Sequence, residues 1–402
     1  MSAPAPSIET TPVIRLKAGA HRRLLQGHPW VYSNEVEMDA EARSLPPGIV
    51  VRVASHDGEI LGTAVFNRFP LIAARLLSRD SRAEIDVDFL AERLSRALAI
   101  RETLFPGPFY RLVHAEADGL PGLIADRFGD TLVLQANSAG MDRLLPQLLQ
   151  AVERVITPQT VVLRNDSPAR QMESLESGSE VVKGSVESTT QLEENGARYL
   201  ADLRVGQKTG WFFDQRDNRA WIARFARGAR VLDGYSYSGG FTVQAALAGA
   251  AEVTALDRSQ PALELAEAAA NLNGVTERCR FVKAEVFPEL QRRAKANETF
   301  EVVIMDPPAF VKSRKDLKQG AKGYRKLTRL ACQLVAPEGV LFVASCSHHV
   351  DPALFAEQVK RGLVDAGRRG RILRSAGAAP DHPLHPALPE SAYLKALVLA
   401  LD

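Results

Sequence analysis

The C-terminal half of the chain alternates short apolar runs with longer amphipathic segments. The apolar runs predict strands near residues 230–232, 252–256, 280–282, 300–305 and 340–344. Helical spacing predicts helices between these strands. Alternating strands and helices indicate a parallel sheet with helices on both faces. In such a sheet a ligand binds beyond the carboxyl ends of the strands, where the strand order reverses.

The first part of the chain has a different pattern. Residues 13–77 consist of short apolar stretches separated by turns rich in proline and glycine, which predict a small β domain. Residues 78–190 predict a central α+β domain with a helix at 87–105, a hairpin at 123–135, a helix at 141–156 and a strand at 160–163. The Ser-, Gly- and Glu-rich stretch 173–190 is interpreted as a loop or linker.

The predicted architecture is therefore α/β. We expect a disordered tail at 1–12, the β domain at 13–77, the central domain with its linker at 78–190, and the parallel-sheet domain at 191–402.

Composition sets limits on partners and location. The 402 residues are 46% hydrophobic and 24% charged, as in a globular protein. The net charge of +2 does not by itself indicate a nucleic-acid partner, so local clusters must decide. Three widely spaced cysteines argue against a disulfide framework or a metal site and favour a cytoplasmic location. No apolar run is long enough to predict a membrane span.

A loop with three glycines follows the first strand of the parallel-sheet domain: Asp233-Gly234-Tyr235-Ser236-Tyr237-Ser238-Gly239-Gly240. Its glycines let the backbone approach a ligand, and the following helix offers unpaired amide donors. Asp257 ends the next strand, where a carboxylate can accept hydrogen bonds from ribose hydroxyls. The G-x-G-x-x-G spacing of a dinucleotide site is absent, and Asp233 suits the ammonium of a methionine moiety better than a pyrophosphate. We therefore favour S-adenosylmethionine over a dinucleotide.

The third strand end offers a further cofactor contact. Methyltransferases often place an acid here on the adenine amine, and Glu285 is the candidate; a solvated surface side chain is the alternative. The predicted cofactor-binding residues of this domain are Asp233, Tyr235, Ser236, Tyr237, Ser238, Gly239, Gly240, Asp257, Arg258, Glu285, Val286 and Asp306.

The fourth strand is followed by Asp306-Pro307-Pro308-Ala309-Phe310. Two prolines after an acid form a stiff, extended turn that aims Asp306 into the crevice. Amino-group methyltransferases usually carry an aromatic residue directly after the second proline. Here Ala309 takes that place and Phe310 is displaced by one, which weighs modestly against methylation of an exocyclic amine.

Cys346 follows the fifth strand, at the same predicted edge as Asp306. Methylation of a pyrimidine C5 needs a covalent nucleophile, because that carbon is not electron-rich enough to attack a methyl donor. A thiolate that adds to C6 activates C5 and is later eliminated. The thiolate needs cationic neighbours or a helix N-terminus, and the candidates are His348, His349 and the nearby basic segment 312–329. The alternative is a buried structural cysteine, as expected for Cys279 and Cys332.

The segment 312–329 carries eight basic residues and one acid. It leaves directly from the Asp-Pro-Pro turn, so we interpret it as a basic, partly flexible lid that suits a phosphate backbone; a solvated helix face is the alternative. Basic residues mixed with aromatic ones at 17–32 also suit RNA. The predicted substrate-binding residues are Pro307, Pro308, Phe310, Lys312, Arg314, Lys322 and Arg325.

Six stretches of the sequence carry a joint resemblance to a known family. They are Gly27-His28-Pro29-Trp30-Val31, Ala117-Asp118-Gly119-Leu120-Pro121-Gly122-Leu123, Lys208-Thr209-Gly210-Trp211-Phe212-Phe213-Asp214-Gln215-Arg216, Ser236-Tyr237-Ser238-Gly239-Gly240-Phe241, Asp306-Pro307-Pro308 and Ser345-Cys346-Ser347. Together they resemble the bacterial ribosomal RNA large subunit methyltransferase I type. Its members are cytosine-C5 methyltransferases with an N-terminal PUA domain, a central αβ domain and a C-terminal class I methyltransferase domain.

The resemblance implies a PUA-like, RNA-binding N-terminal domain and formation of 5-methylcytosine in large-subunit ribosomal RNA. It implies that Cys346 is the nucleophile and that Asp306 hydrogen-bonds the base edge. It further implies an extra cofactor motif before the first strand, with Lys208, Thr209, Phe213 and Arg216. Ribosomal RNA is the implied partner, and a homodimer is compatible with the sequence.

Two other functions stay open at this point. One is methylation of a purine nitrogen in RNA, which needs no thiol. The other is a non-catalytic RNA-binding or ribosome-assembly factor with a retained cofactor fold, against which the intact Asp233, Asp257 and Asp306 argue.

Overall fold

A computed structural model describes residues 11–204, 206–207 and 209–402, which form two compact units. The first unit comprises Met1–Thr190, Asp202–Trp211 and Pro380–Pro389, and the second comprises Gln191–Ala201, Phe212–Ala379 and Glu390–Asp402. Most of the predicted tail lies outside the described residues. The division of the chain into domains at 77 and 190 stays a prediction.

The first sheet of the first unit has five strands within the described chain, in the order β1-β3-β4-β5-β2. This sheet confirms the predicted β domain, and its core includes the fully buried Val51, Val53 and Ala64. The elements are β1 (Val13–Arg15), α1 (His21–Leu25), β2 (Trp30–Tyr32), α2 (Ala40–Ser44), β3 (Ile49–Ala54), β4 (Ile60–Phe66) and β5 (Ile72–Ser78).

The second sheet of this unit runs β10-β9-β8-β7-β6 and is flanked by helices. The predicted hairpin at 123–135 is formed by β7 and β8, which pair antiparallel. The elements are α3 (Val87–Leu104), β6 (Phe109–His114), β7 (Leu123–Phe128), β8 (Thr131–Ala136), α4 (Ala139–Arg143), α5 (Leu145–Val155), β9 (Thr160–Asn165), α6 (Pro168–Met172) and β10 (Gly178–Lys183).

Two predictions for this region were wrong. The stretch 173–190 is not only linker, because β10 lies within it and pairs antiparallel with β9. Most of β10 is exposed, which explains its polar composition. The helix expected at 141–156 is two helices that meet at Leu144. Pro146 lies in the first turn of α5, where the missing amide hydrogen is tolerated but the preceding helix cannot continue.

Buried ion pairs join the two sheets of the first unit. Arg75 on β5 contacts Glu116 at 2.9 Å and Glu173 at 3.1 Å. The indole nitrogen of Trp30 donates to the same Glu116 at 2.8 Å. Since all three charged side chains are largely shielded from water, each needs its partner.

The second unit is built on a seven-stranded sheet, counted over the described residues, in the order β15-β14-β13-β16-β17-β19-β18. A separate hairpin, β11 with β12, precedes it along the chain. The strands are β11 (Thr190–Glu194), β12 (Ala197–Ala201), β13 (Arg230–Gly234), β14 (Glu252–Asp257), β15 (Cys279–Lys283), β16 (Phe300–Met305), β17 (Val335–Ser345), β18 (Gly370–Ala376) and β19 (Lys395–Leu401). The helices are α7 (Arg216–Ile222), α8 (Gly240–Leu247), α9 (Gln260–Leu272), α10 (Val286–Lys295), α11 (Leu317–Leu334) and α12 (Pro352–Asp365).

Strands β13 to β17 are parallel, which confirms the predicted parallel sheet. The central strands β13, β14, β16 and β17 have buried, mainly apolar interiors, as expected where helices cover both faces, whereas no residue of the edge strand β15 is buried. Strand β19 is antiparallel and lies between β17 and β18. The strand order reverses at β13, so the carboxyl ends of β13, β14, β16 and β17 meet around the expected ligand crevice.

The basic segment 312–329 is mainly helical. A short 3-10 turn at Arg314–Asp316 leads into α11, which buries Tyr324, Leu327 and Leu330 against the sheet. Apolar positions three apart fix this buried face, so the basic side chains take the opposite, exposed face. The interpretation as a partly flexible lid was therefore wrong for most of the segment, and the solvated helix face describes it better.

Candidate active site

The loop after β13 has an unusual backbone. Tyr235, Tyr237 and Gly239 have φ values of 64°, 48° and 80°, all in the left-handed region. Such values cost about 1 kcal/mol or more for residues other than glycine and occur mainly where function requires them. The amides of Tyr235 and Ser236 both donate to the Leu256 carbonyl, at 2.9 and 3.1 Å. The loop is thereby bound to the end of β14.

The glycines of this loop serve packing. A Cβ atom at Gly239 would lie 2.8 Å from the Cβ of Ala266 on α9, and one at Gly240 would collide with the Arg219 guanidinium. Both glycines therefore fit the start of α8 against neighbouring protein atoms. The expectation that they make room for a ligand is corrected in this respect.

Asp233 is fully buried at the end of β13. Its Oδ2 accepts a hydrogen bond from the Thr242 hydroxyl at 2.6 Å. The pKa of Asp233 is raised to about 7, mainly by burial and in smaller part by the nearby charge of Asp306, while the Thr242 hydrogen bond opposes the shift. The carboxyl group is therefore easily protonated unless a cation joins it.

Three buried polar atoms of the loop have no hydrogen-bond partner among the residues described: Asp233 Oδ1, Ser236 Oγ and Ser238 Oγ. Buried polar atoms are nearly always paired, so these three call for a ligand or water. A carboxylate and two hydroxyls suit the ammonium and carboxylate of a methionine moiety. This site therefore fits S-adenosylmethionine.

Asp257 ties the loop to α9. Its Oδ2 accepts from the Tyr237 amide at 3.0 Å and its Oδ1 from the Ser259 amide at 2.8 Å. Each carboxylate oxygen keeps a second lone pair, so Asp257 can also accept hydrogen bonds from ribose hydroxyls. The half-buried position leaves the carboxylate accessible.

Other predicted cofactor residues lie at neighbouring strand ends. Arg258 and Glu285 are exposed, whereas Val286 is buried in the first turn of α10. Burial raises the pKa of the Tyr235 hydroxyl, and the charge of Glu285 raises it further. Glu285 therefore lies near the loop at 233–240, called the cofactor loop below, as an adenine contact requires.

The predicted extra motif is divided between the units. Lys208 lies outside the described residues. Thr209 belongs to the first unit, where it is buried and its hydroxyl donates to Asp126. Its role in cofactor binding stays a prediction.

Phe213 and Arg216 belong to the second unit and are buried. The Arg216 guanidinium lies 5.4 Å from the Phe213 ring centre and 3.8 Å from Glu194. The preceding Phe212 meets Tyr237 of the cofactor loop edge to face, with ring centres 5.2 Å apart. The sequence did not single out Phe212, although it stands within the quoted motif.

The reaction side of the crevice brings Cys346 to the Asp-Pro-Pro turn. The Cys346 thiol faces the Pro307 carbonyl oxygen at 3.9 Å and is half-buried. The Asp306 amide donates to the Gly234 carbonyl at 3.4 Å, so the turn also adjoins the cofactor loop. These contacts link the three predicted motifs at one edge of the sheet.

Helix α11 supports this cluster through residues that sequence reasoning missed. The Tyr324 hydroxyl and the Ser347 hydroxyl are 2.7 Å apart, and Ser347 also accepts from the Val311 amide at 3.1 Å. The ring of Phe310, predicted to bind substrate, packs half-buried with its centre 4.7 Å from that of Tyr324. The signal for Tyr324 was its place on the apolar face of the helix.

The other two cysteines are poor nucleophiles. Burial raises the pKa of Cys279 to about 11 and that of Cys332 to about 12. At neutral pH both thiols stay protonated, and only a thiolate attacks carbon efficiently.

The predicted substrate-binding cations differ in their surroundings. Lys312, Arg314 and Lys322 are exposed. Arg325 instead forms a two-pronged ion pair with Asp365 on α12, at 2.6 and 2.7 Å. Its charge is therefore already compensated. In the described part of the chain, no helix is long and apolar enough to cross a membrane, and no cluster of side chains could hold a metal ion.

Comparisons with known proteins agree with this geometry. A family model for S-adenosylmethionine-dependent methyltransferases matches residues 142–399, and one for PUA-like domains matches residues 14–79. Among curated relatives, the ribosomal RNA large subunit methyltransferase I of Aeromonas salmonicida (strain A449) is 37% identical over 96% of this chain and 98% of its own. The ribosomal RNA large subunit methyltransferase I of Cronobacter sakazakii (strain ATCC BAA-894) is 36% identical over 94% of this chain and 97% of its own.

Solved structures share the fold. A structure described as a SAM-dependent methyltransferase from Streptococcus mutans has a TM-score of 0.81 at 21% identity, covering 97% of this chain and all of its own. A methyltransferase complexed with SAH has a TM-score of 0.82 at 21% identity, covering 97% and 99%. With the family model matched over most of its length and relatives similar from end to end, the chain belongs to the S-adenosylmethionine-dependent methyltransferases of the ribosomal RNA large subunit methyltransferase I family.

Proposed function

We propose that this protein forms 5-methylcytosine in large-subunit ribosomal RNA, with Cys346 as the covalent nucleophile. The relatives' name supports ribosomal RNA as the substrate. The observation that carries the cytosine-C5 proposal is the contact of the Cys346 thiol with the Asp306-Pro307 turn, which adjoins the cofactor loop. Methylation of a nitrogen would need no thiol at this place.

The cofactor supplies an electrophilic methyl group on a sulfonium. Asp233 would bind the ammonium of its methionine moiety. The hydroxyls of Ser236 and Ser238, which have no partner among the described residues, would donate hydrogen bonds to the carboxylate of that moiety. Asp257 would accept hydrogen bonds from the ribose, and Glu285 from the adenine amine. Arg258 and Val286 flank these contacts, and Phe213 and Arg216 would complete the methionine end.

The covalent step begins when the Cys346 thiolate adds to C6 of the cytosine. A carbon–sulfur bond forms and an electron pair moves to C5, which then becomes the nucleophile. A protonated Asp306 would donate a hydrogen bond to N3 and stabilise the negative charge that develops there, whereas an ionised Asp306 would accept from the amino group and orient the base. C5 would then take the methyl group, and the electron pair of the broken methyl–sulfonium bond would stay on the donor's sulfur. Water or Asp306 would next accept the C5 proton. The electron pair left behind forms the C5–C6 double bond and breaks the bond from C6 to the cysteine, which restores the thiolate.

The target base must leave its helix or loop to reach this edge of the sheet. Pro307, Pro308 and Phe310 would shape the base pocket. The exposed Lys312, Arg314 and Lys322 would bind the phosphate backbone, and the PUA-like domain would add further RNA contacts.

Product mapping tests the reaction. Ribosomal RNA from cells with and without this protein should differ by one or more 5-methylcytosines, as measured by mass spectrometry of nuclease fragments. A methylated adenine or guanine with cytosine C5 unchanged would contradict the proposal.

Substitution tests the nucleophile. Cys346→Ala should abolish methyl transfer, a loss of more than about a thousandfold, while calorimetry shows unchanged S-adenosylmethionine binding. Cys279→Ala is the matched control and should stay active, because its thiol is not ionised at neutral pH. Full activity of Cys346→Ala would exclude the covalent route.

A further inference from the structure

Lys395 lies directly beside the end of β17, the strand that precedes Cys346. It begins β19, and in the antiparallel pairing of β17 with β19 it stands opposite Ser345, the residue before the cysteine. About 50 residues separate Lys395 from Cys346 along the chain, so only the folded sheet brings them together.

The ammonium of Lys395 is held in place on both sides. Its side chain is more than nine-tenths buried. The Nζ atom donates to the carbonyl oxygen of Ser347, the residue after the cysteine, and to that of Tyr393 at 2.9 Å. The backbone around Cys346 is therefore fixed by Lys395 from the next strand.

A buried ammonium is costly unless a negative charge compensates it. Both atoms bound to Lys395 are neutral carbonyl oxygens, and within the described chain no carboxylate forms an ion pair with it. An ammonium has three protons, so a third can face a further acceptor.

Lys395 stands opposite Ser345 and binds the Ser347 carbonyl oxygen, and Cys346 lies between these two residues, so its sulfur is the candidate for that acceptor. Burial lowers the pKa of Lys395 to about 8, while the charge of Cys346 opposes the shift most strongly and that of Asp351 less. Asp351 already caps α12 by accepting from the Leu354 amide at 2.7 Å. The Cys346 sulfur is thus the main negative partner available to this cation.

We propose that Lys395 is the positioning residue that holds Cys346 as a thiolate. The proposal rests on the function proposed above, since only a covalent nucleophile needs this activation. The ammonium keeps its three protons throughout, and the proton of the thiol passes to water. Lys395 also anchors the Ser347 carbonyl, so it sets the direction of the sulfur as well as its charge.

Three further side chains near the cysteine differ from Lys395 in charge or exposure. Tyr324 faces it from α11, and burial raises the pKa of its hydroxyl, so it stays neutral. His348 stacks on the Tyr393 ring, with ring centres 5.2 Å apart. His348 and His349, predicted as cationic neighbours, are exposed. Lys395 is buried, so its charge acts through a medium that screens it less than water does.

The test is the pH dependence of Cys346 alkylation by iodoacetamide, with peptide mass spectrometry to resolve this cysteine. In Lys395→Met the midpoint should rise by about one pH unit, which lowers the rate at neutral pH roughly tenfold. Lys360→Met, which removes an exposed cation from α12, is the matched control and should leave the midpoint unchanged. A wild-type midpoint in Lys395→Met that still binds S-adenosylmethionine would overturn the proposal.

If the Lys395→Met protein does not fold, a reciprocal measurement on Cys346→Ser tests the same interaction. In Cys346→Ser, the pKa of Lys395 measured by NMR of labelled lysine should fall by the same amount as the thiol midpoint rises. An unchanged lysine pKa would also overturn the proposal. Neither measurement uses RNA, so a failure here leaves the cytosine-C5 function standing. Conversely, a product other than 5-methylcytosine would contradict the proposed function, while the alkylation curve would still show whether Lys395 lowers the pKa of the Cys346 thiol.

Discussion

The buried Asp233 makes cofactor binding depend on pH. Its folded-state pKa of about 7 lies above the ordinary 3.8, so below pH 7 the carboxyl is mostly protonated. Its contribution to stability is fully present below pH 3.8 and is lost as pH rises through about 7. A cationic ligand reverses the preference, because an ammonium beside the carboxylate lowers the pKa.

We therefore expect S-adenosylmethionine to bind several-fold more tightly at about pH 8 than at about pH 6, measured by calorimetry. Asp233→Asn should bind weakly and without this pH dependence. Asp257→Asn is the control: it should weaken binding yet keep the trend. A flat wild-type profile would show that Asp233 does not meet the ammonium.

Single residues could be predicted where they end a strand. Asp233, Asp257, Asp306 and Cys346 each follow an apolar run, and parallel strands carry their ends to one edge. Lys395 could not be found in this way. Its place beside Cys346 depends on the pairing of β17 with β19, which no local pattern encodes.

At the scale of elements, the start of α8 depends on its glycine. Gly239→Ala should lower the free energy of unfolding by about 2–4 kcal/mol, because the left-handed φ and the clash with Ala266 add. Gly228→Ala is the matched control. It shares a left-handed φ of 70° but has open space around it, so about 1 kcal/mol is expected. Equal losses in urea unfolding would contradict the packing role.

Helix α11 should bind RNA through its unpaired cations. Lys322→Ala should weaken RNA binding and reduce the slope of log affinity against log salt by about one, measured by fluorescence anisotropy. Arg325→Ala should have a smaller effect, because Asp365 already compensates that charge. A larger loss from Arg325 than from Lys322 would mean that RNA displaces Asp365.

Element boundaries were predictable where the apolar pattern was strong. The central strands of the parallel sheet are buried on both faces and therefore visible as apolar runs. Strand β10 was missed because most of its side chains face water, so its composition resembles a linker. The many charges of 312–329 likewise concealed the apolar face of a helix, so this segment was wrongly predicted to be a lid.

At the scale of the molecule, Arg75 contributes to the stability of the first unit. Arg75→Met should lower the free energy of unfolding by about 2–4 kcal/mol, because Glu116 and Glu173 would keep buried charges without their cation. The measurement is chemical unfolding of the full chain. Arg96→Met is the control, since its pair with Glu92 is exposed and worth little. A smaller loss for Arg75 than for Arg96 would contradict the bridging role.

The position of β19 has a consequence for synthesis on the ribosome. Strand β17, with Cys346 at its end, is translated about 50 residues before β19, a delay of roughly 3–10 s at ordinary elongation rates. During that time the β17 edge has no partner on the β19 side, and open strand edges invite association with other chains. The thiol also lacks Lys395. A nascent chain that has bound its methyl donor would therefore not transfer the methyl group until β19 joins the sheet.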